Sequence, residues 1–458
     1  MSESRPHVPV GWVITATSLG FVVVQLDVTV VNVALPKISS GLHASVSTLQ
    51  WVVDEYAVTF AVLLMSAGSL GDRFGSKRLF MLGFGLFAIA SIACGLAPSG
   101  AALIAGRAVQ GVGAAMLVPT SLALLNYACA HDAALRARAV GLWTAAGGVA
   151  IAAGPLAGGL LLGVFSWRSI FLVNIPICAI GMAMTVRVSD TGRRADARRL
   201  DATGQLLAIV ALSGLIGAVI EARPLGFTHP VVLAGIALAI GCGAGFLVAE
   251  RRSTSPMVPP EVFRDARLGP LIGFGTLVNL TYYGIIFVLS LYLQELLGYS
   301  AVRAGVAYLP LTATFIVSNV ASGWITGRVG ARIPMVVGSL VAALGFALLL
   351  RLDASSAYSS MIVAFLLIPA GMGLAVPSMT TATLAAVNKK WAGTASALLN
   401  TARQAGGAIG VAIFGALVAG GRDRIVSGLH SSSITSAALL LAAAALAWIG
   451  VESGTAKG

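Results

Sequence analysis

Gly68-Ser-Leu-Gly-Asp72-Arg73-Phe-Gly75-Ser-Lys77-Arg78 is a charged, glycine-marked turn between two apolar stretches. It recurs 255 positions later as Gly323-Trp-Ile-Thr-Gly327-Arg328-Val-Gly330-Ala-Arg332. Glycine, arginine, glycine and a basic residue return in register, while Gly327 stands where the first copy has Asp72. The second copy keeps the turn and loses the acid. Such a repeat implies two related halves, the arrangement in which membrane carriers place a substrate site at the repeat interface.

The sequence around the two turns could not cover a soluble globule. Of 458 residues, 57% are hydrophobic and only 10% charged, against about 25% charged in soluble domains, and the mean hydropathy is +0.92. Windows of about 20 apolar residues, the length that crosses the hydrocarbon of a bilayer, can be laid down fourteen times, from 10-36 through 433-451. With a cytoplasmic N-terminus an even count puts both termini inside. That assignment places 20 of the 29 basic residues in cytoplasmic segments and 7 outside, with Arg107 and Arg403 inside spans, as the positive-inside rule requires. The basic run from Arg187 to Arg199 and the loop from Glu250 to Arg267 isolate two spans between them. The expected fold is an all-α integral membrane protein of two six-helix bundles plus two additional helices. Its parts are an N-terminal bundle over 1-187, a linker with two spans over 188-267, and a C-terminal bundle over 268-458.

The net charge of +12 has no aromatic-studded basic patch beside it, so it reads as topology rather than as a nucleic-acid surface. Apolar sequence runs from Val8 to Pro36 without a small-residue cleavage site, which reads as a first span and not a removed signal. Cys94, Cys129, Cys178 and Cys242 lie in or beside apolar segments and predict no disulfide framework. No Gly-x-x-x-x-Gly-Lys-Ser/Thr loop exists to use ATP, Gly241-Cys-Gly243-Ala-Gly245 lacks dinucleotide spacing, and no clustered Cys/His set suggests a metal. The sequence therefore predicts no enzyme and no cofactor, with a gradient as the energy source, which the resemblance below implies to be of protons.

Further segments carry a resemblance. Leu26-Asp27-Val-Thr29-Val-Val-Asn32-Val-Ala-Leu-Pro36 lies in the first span, and Arg107-Ala-Val-Gln110-Gly111-Val-Gly113 lies in the fourth. Gly147-Gly148 and Gly154-Pro155-Leu-Ala-Gly158-Gly159 lie in the fifth; Trp167-Arg168-Ser-Ile-Phe171-Leu-Val-Asn174-Ile-Pro176 and Asn400-Thr-Ala-Arg403-Gln404 follow. Together with the repeated turn, these resemble the major facilitator superfamily and its 14-helix drug:proton antiporter-2 family, over nearly the whole chain. Trp51-Val-Val-Asp54-Glu55-Tyr56 and Ile220-Glu221-Ala-Arg-Pro-Leu-Gly226 look most like methylenomycin-resistance-type exporters. The resemblance implies a monomer in the bacterial cytoplasmic (inner) membrane, exporting antibiotics or lipophilic, cationic drugs against protons by alternating access. The competing readings are an ion-coupled uptake carrier and a lipid-handling membrane protein with fixed ion pairs.

Ionisable groups within spans cost roughly 2.5 to 3.5 kcal/mol on insertion scales and mark function. Asp27 lies about 13 Å below the outer end of the first span and Arg107 about 9 Å into the fourth at 1.5 Å per residue, so the two can approach if their helices face one cavity, as the resemblance implies. Asp27 and Arg107 form the expected proton-coupling pair; the alternative is a structural ion pair. Adjacent Asp54 and Glu55 point about 100° apart, so only one can face a cavity squarely. The other expected cavity residues are Gln25, Asn32, Asn279, Tyr282, Tyr283, Tyr292, Asn319, Asn400, Arg403 and Gln404. Gly68, Asp72, Arg73, Gly75, Lys77 and Arg78 are expected to clamp one conformation. Gln110, Gly111, Gly154, Pro155, Gly158 and Gly159 complete the expected gating set; the small residues of the fifth span let a neighbouring backbone approach closely, and the resemblance implies that they close the outer halves together, the alternative being ordinary helix packing.

Overall fold

The computed structural model describes residues 9–130, 132–190, 201–253, 256, 266–387 and 391–451. Arg193, Arg194, Arg198, Arg199, Arg264, Lys389, Lys390, both chain ends and the Asp72 side chain lie outside the described residues. The first half comprises α1 (Val10–Leu42), α2 (Val46–Phe74), α3 (Ser76–Gly95), α4 (Gly100–Ala128), α5 (Ala133–Val164) and a broken sixth span, α6 (Ser169–Leu172) with α7 (Asn174–Thr185). Next come α8 (Ala202–Leu225) and α9 (Pro230–Arg252). The second half comprises α10 (Leu268–Leu291), which ends in a π turn over Tyr292–Leu296, α11 (Ala301–Ala307) with α12 (Leu309–Val329), α13 (Arg332–Leu348), α14 (Ser359–Ala385), α15 (Ala392–Val418) and α16 (Ile425–Gly450).

Among the described residues eleven helices are long and apolar enough to cross a bilayer, and α5, bent by 41° between Arg138–Ile151 and Ala153–Val164, makes twelve. Of the two remaining windows, α2 is 29 residues long, enough to cross a bilayer, and runs over the side chains of Met65 and Asp72, which lie outside the described residues; the α6–α7 stretch Ser169–Thr185 is short. We call the face where α1 begins proximal and the face where it ends distal.

Local chemistry starts the helices where the spans begin. Ser45, Ser99 and Ser300 accept the N–H bonds of Thr48, Ala102 and Arg303, capping α2, α4 and α11 at the distal face. Asp201 does the same for α8 through Gly204. At the proximal face, Gly75 and Gly330 close the two copies of the repeated turn with φ of +100° and +77°. A side chain at residue 75 would also begin 2.6 Å from the Asp190 carboxylate. Gly75→Ala is therefore expected to cost about 1 to 3 kcal/mol, read as a lowered unfolding midpoint of the detergent-purified protein. An unchanged midpoint would deny the turn its strain.

Helix α8 bridges the halves by packing on both α2 and α15, where Ile216 and Ile220 share a buried cluster with Val58, Ala408 and Ala412. Its distal end is tied to α2 by Trp51 Nε1 donating to Glu221 Oε1 at 3.3 Å. Helix α9 packs mainly on α8 and leaves most of its apolar surface outward, as a lipid-facing helix does.

Hydrogen bonds between the two halves gather toward the distal face among the described residues. Gln50 Nε2 donates to the Ala412 and Val411 carbonyls at 2.8 and 3.3 Å, Gln294 Nε2 to Val33 O at 3.0 Å, and Ser290 Oγ to Asn32 O. The deepest joins Thr401 Oγ1 to Ala61 O at 3.0 Å, near mid-span. This is a distal-closed arrangement.

Candidate functional site

Asp27 is fully buried on α1 and forms an ion pair with Arg107 Nη1 of α4. Its other oxygen accepts from Asn174 Nδ2 of α7 at 2.9 Å and from Gln110 Nε2 of α4 at 3.3 Å. Arg107 and Gln110 are three residues apart and so share a helix face, which lets Gln110 Oε1 accept from Arg107 Nη1 at 2.9 Å while its amide reaches Ser91 Oγ at 2.8 Å. Asn174 also donates to Ser91, at 3.3 Å, and the Cys94 thiol donates to Gln110 Oε1 at 3.3 Å. Arg107 Nε donates to Val52 O at 3.0 Å, and its guanidinium lies 4.3 Å over the Tyr56 ring and 5.8 Å from that of Phe171. Gly111 makes this reach possible. A Cβ there would lie 2.7 Å from Tyr56 O, so the bare residue lets α4 press against α2.

A charged pair removed from water is retained only when its remaining donors and acceptors are filled, and here three helices, α2, α4 and α7, fill them. The sequence singled out Asp27 and Arg107 as the pair and placed Gln110 among gating residues; the structure puts Gln110 on the Asp27 carboxylate itself. Asn174 and Ser91 had no role in the sequence reading. The available signal was Asn174 itself, an amide within an apolar run.

Between the halves lies a cavity with about 20 Å³ open to water centres, room for roughly one molecule. Its wall includes Asp54, Tyr56, Arg107, Tyr283, Gln404 and Gly407. Asp27 is not on that wall: Arg107 stands between, touching the carboxylate on one side and the cavity on the other. Asp54 is fully buried, and neither carboxylate oxygen has a hydrogen-bond partner. Of the adjacent acids it is Asp54 that lines the cavity, while Glu55 is half-buried and accepts from Thr59 Oγ1 at 3.4 Å.

The remaining expected cavity residues separate. Tyr283 and Gln404 line the wall. Asn32, Asn279, Asn319 and Asn400 each donate to a carbonyl four residues back on their own helix, and Gln25 is half-buried on α1. Tyr282 stacks on Phe315 at 6.0 Å. Arg403 is half-buried beside α10; its Nη1 reaches Asn400 Oδ1 at 3.5 Å and its Nε has no partner. Tyr292 lies apart from the wall, its hydroxyl donating to Asp353 O at 2.6 Å at the distal rim.

The gating residues also divide. Gly68 faces Pro119 of α4, Arg73 stacks on the exposed Phe74 at 5.4 Å, and Arg78 is exposed. Lys77 donates its backbone N–H to Asp190 Oδ1 at 3.1 Å and its ammonium to Val186 O at 2.6 Å. The acid that meets this turn from across the bundle is thus Asp190, which the sequence reading passed over. In α5, Gly154 and Gly158 face Thr29 and Val30 of α1, inside the first half, rather than the opposite half. Gly159 and Gly163 face Ala301 and Val302 of α11 across the seam. There Gly305 lies so near Pro155 that a Cβ would sit 2.4 Å from its carbonyl oxygen.

Comparison with known proteins agrees with this architecture. The chain is 40% identical over 417 residues to the methylenomycin A resistance protein of Streptomyces coelicolor, covering 90% of this chain and 87% of that one. It is 38% identical over 406 residues to the multidrug resistance protein Stp of Mycobacterium tuberculosis, covering 88% and 75%. To the tetracenomycin C resistance and export protein of Streptomyces glaucescens it is 34% identical over 405 residues, again covering 88% and 75%. The crystal structure of the human organic anion transporter MFSD10 (TETRAN) superposes with a TM-score of 0.63 at 15% identity, covering 96% of this chain and all of that one, a likeness of fold. The family model for the Major Facilitator Superfamily matches residues 17–411. With two bundles related by a repeated proximal turn, a cavity between them and this match along most of its length, the chain belongs to the Major Facilitator Superfamily.

Proposed function

We propose that the protein exports drugs or antibiotics across the bacterial cytoplasmic membrane in exchange for protons, by alternating access of the cavity between its halves. The observation that carries this reading is the position of Arg107, which binds the Asp27 carboxylate and also forms part of the cavity wall. A proton and the Arg107 guanidinium compete for the same carboxylate. Loading Asp27 with a proton from the distal side frees the guanidinium; returning the proton to the proximal side restores the pair. The basic residues make the proximal face cytoplasmic, so the distal-closed arrangement is the one that collects substrate from inside. Asp54, unpartnered on the wall, is the group for a cationic substrate to meet. The drug and antibiotic resistance named for the relatives supports the export direction.

The test is proton release from acidified everted vesicles, followed with a pH-sensitive dye while antibiotics and lipophilic cations are added. Release on addition of particular compounds, abolished by a protonophore, is expected. Substrate leaving the vesicles together with protons would instead identify an uptake carrier. In the same assay Asp54→Asn should lower the response to cations by roughly 5- to 150-fold, the range of one charge interaction of 1 to 3 kcal/mol, with little effect on neutral compounds. Equal responses to cations in the native protein and Asp54→Asn would remove Asp54 from substrate recognition.

A further inference from the structure

We propose that the α12–α13 turn, with the proximal end of α16, binds the headgroup of an anionic phospholipid. The two copies of the repeated turn differ in how their basic residues are matched. In the first copy Asp190 reaches the turn and accepts the backbone N–H of Lys77, whose ammonium donates to the Val186 carbonyl of the same half. In the second, Gly327 replaces the acid, and among the described residues neither Arg328 nor Arg332 has a carboxylate partner. Each guanidinium lies flat on a tryptophan instead. Arg328 is 3.6 Å from the Trp324 ring centre, and Arg332 is 3.9 Å from that of Trp448, to whose carbonyl it also donates. Arg332 Nε is buried and without a partner.

The surroundings specify the ligand. Trp324 is 64% exposed, Trp448 58% and Ile449 81%, with Ile333 and Val329 also outward. These residues sit at the ends of three spans, the level at which tryptophan marks the boundary between hydrocarbon and headgroups. Beside them Gly323 and Gly327 leave open space, for a Cβ at either would meet no atom within 4 Å. Two planar cations on one turn, each backed by an outward tryptophan at that depth, offer a phosphate its donors above apolar surface for the acyl chains. A soluble anion would satisfy the arginines but leave the apolar ring uncovered. The bound lipid would join the ends of α12, α13 and α16 on one half only, because in the first half Asp190 and the Val186 carbonyl already hold the turn.

The experiment reconstitutes the full chain into phosphatidylcholine bilayers containing a minor fraction of phosphatidylglycerol, with bromine placed on the chains of one lipid or the other, and reads tryptophan quenching. Brominated phosphatidylglycerol should quench beyond its share of the bilayer, and Trp324→Phe with Trp448→Phe should remove that excess. Arg328→Gln with Arg332→Gln should reduce the preference roughly fivefold for each arginine, from about 1 kcal/mol per basic residue at a lipid surface, while the two lysine replacements keep most of it. Unchanged quenching by brominated phosphatidylcholine shows that the variants are inserted and folded. Equal quenching by both lipids in the native protein, or a preference that survives the glutamine variant, would overturn the site.

Discussion

Asp27→Asn is expected to abolish substrate-driven proton release, lowering exchange at least about 100-fold, the lower bound for losing a positioned proton-transfer group. The amide oxygen can still accept from Arg107, and its NH2 can donate to Asn174 Oδ1, unpartnered in the native site, once the Asn174 amide turns, so gross misfolding is not the expected cause. Stability should still fall, because a guanidinium left in a buried site beside a neutral partner forfeits its counter-charge; breaking one side of such a pair costs roughly 3 to 5 kcal/mol. Asp27→Asn with Arg107→Gln removes both charges and should recover much of that loss. The double variant decides between the two roles of the pair. If Asp27 carries the proton, the recovered protein remains silent in the vesicle assay at any imposed gradient. If the pair only braces α1 against α4, restored stability brings restored exchange, and the proton-carrier reading fails.

That the pair was visible in the sequence while its surroundings were not follows from the physics of helices in lipid. A carboxylate and a guanidinium inside apolar spans are expensive enough to stand out one by one, and the depths of Asp27 and Arg107 follow from a rise of 1.5 Å per residue. The repeated turn is equally legible, because Gly75 and Gly330 must adopt positive φ. Rotation about the helix axis is another matter. Spans that are apolar all round carry no stripe to orient them, so the sequence could not tell that Asn32, Asn279, Asn319 and Asn400 would be occupied by carbonyls of their own helices. Nor could it place Tyr292 at the distal rim or bring Asn174 to Asp27. Those settings are fixed by close approaches such as Gly111 against Tyr56 O, which become apparent only when the facing helix is known. Asp190 escaped notice because it lies outside any span, where an acid is cheap.

Gly305→Leu should hold the distal seam open. Its Cβ would begin 2.4 Å from Pro155 O, and backbone cannot swing aside as a flexible side chain does. Overpacking typically costs about 1 to 3 kcal/mol, a factor of roughly 5 to 150 in the population of the distal-closed state. That strain exists only while α5 and α11 are together, so separating the halves relieves it. The expected results are reduced export and faster labelling, by a membrane-impermeant thiol reagent added from the distal side, of a cysteine introduced at Val302, which faces Gly159 and Gly163 across the seam. The unfolding midpoint should change little. Gly154→Leu is the control with the opposite pattern: its neighbours are Thr29 and Val30 of the same half, so the clash persists in both states, lowering the midpoint without biasing access. If both leucines lowered stability alike and neither altered labelling, the small residues of α5 would be packing alone, and closure of the distal side would have to be assigned to the Gln50, Ser290 and Gln294 hydrogen bonds.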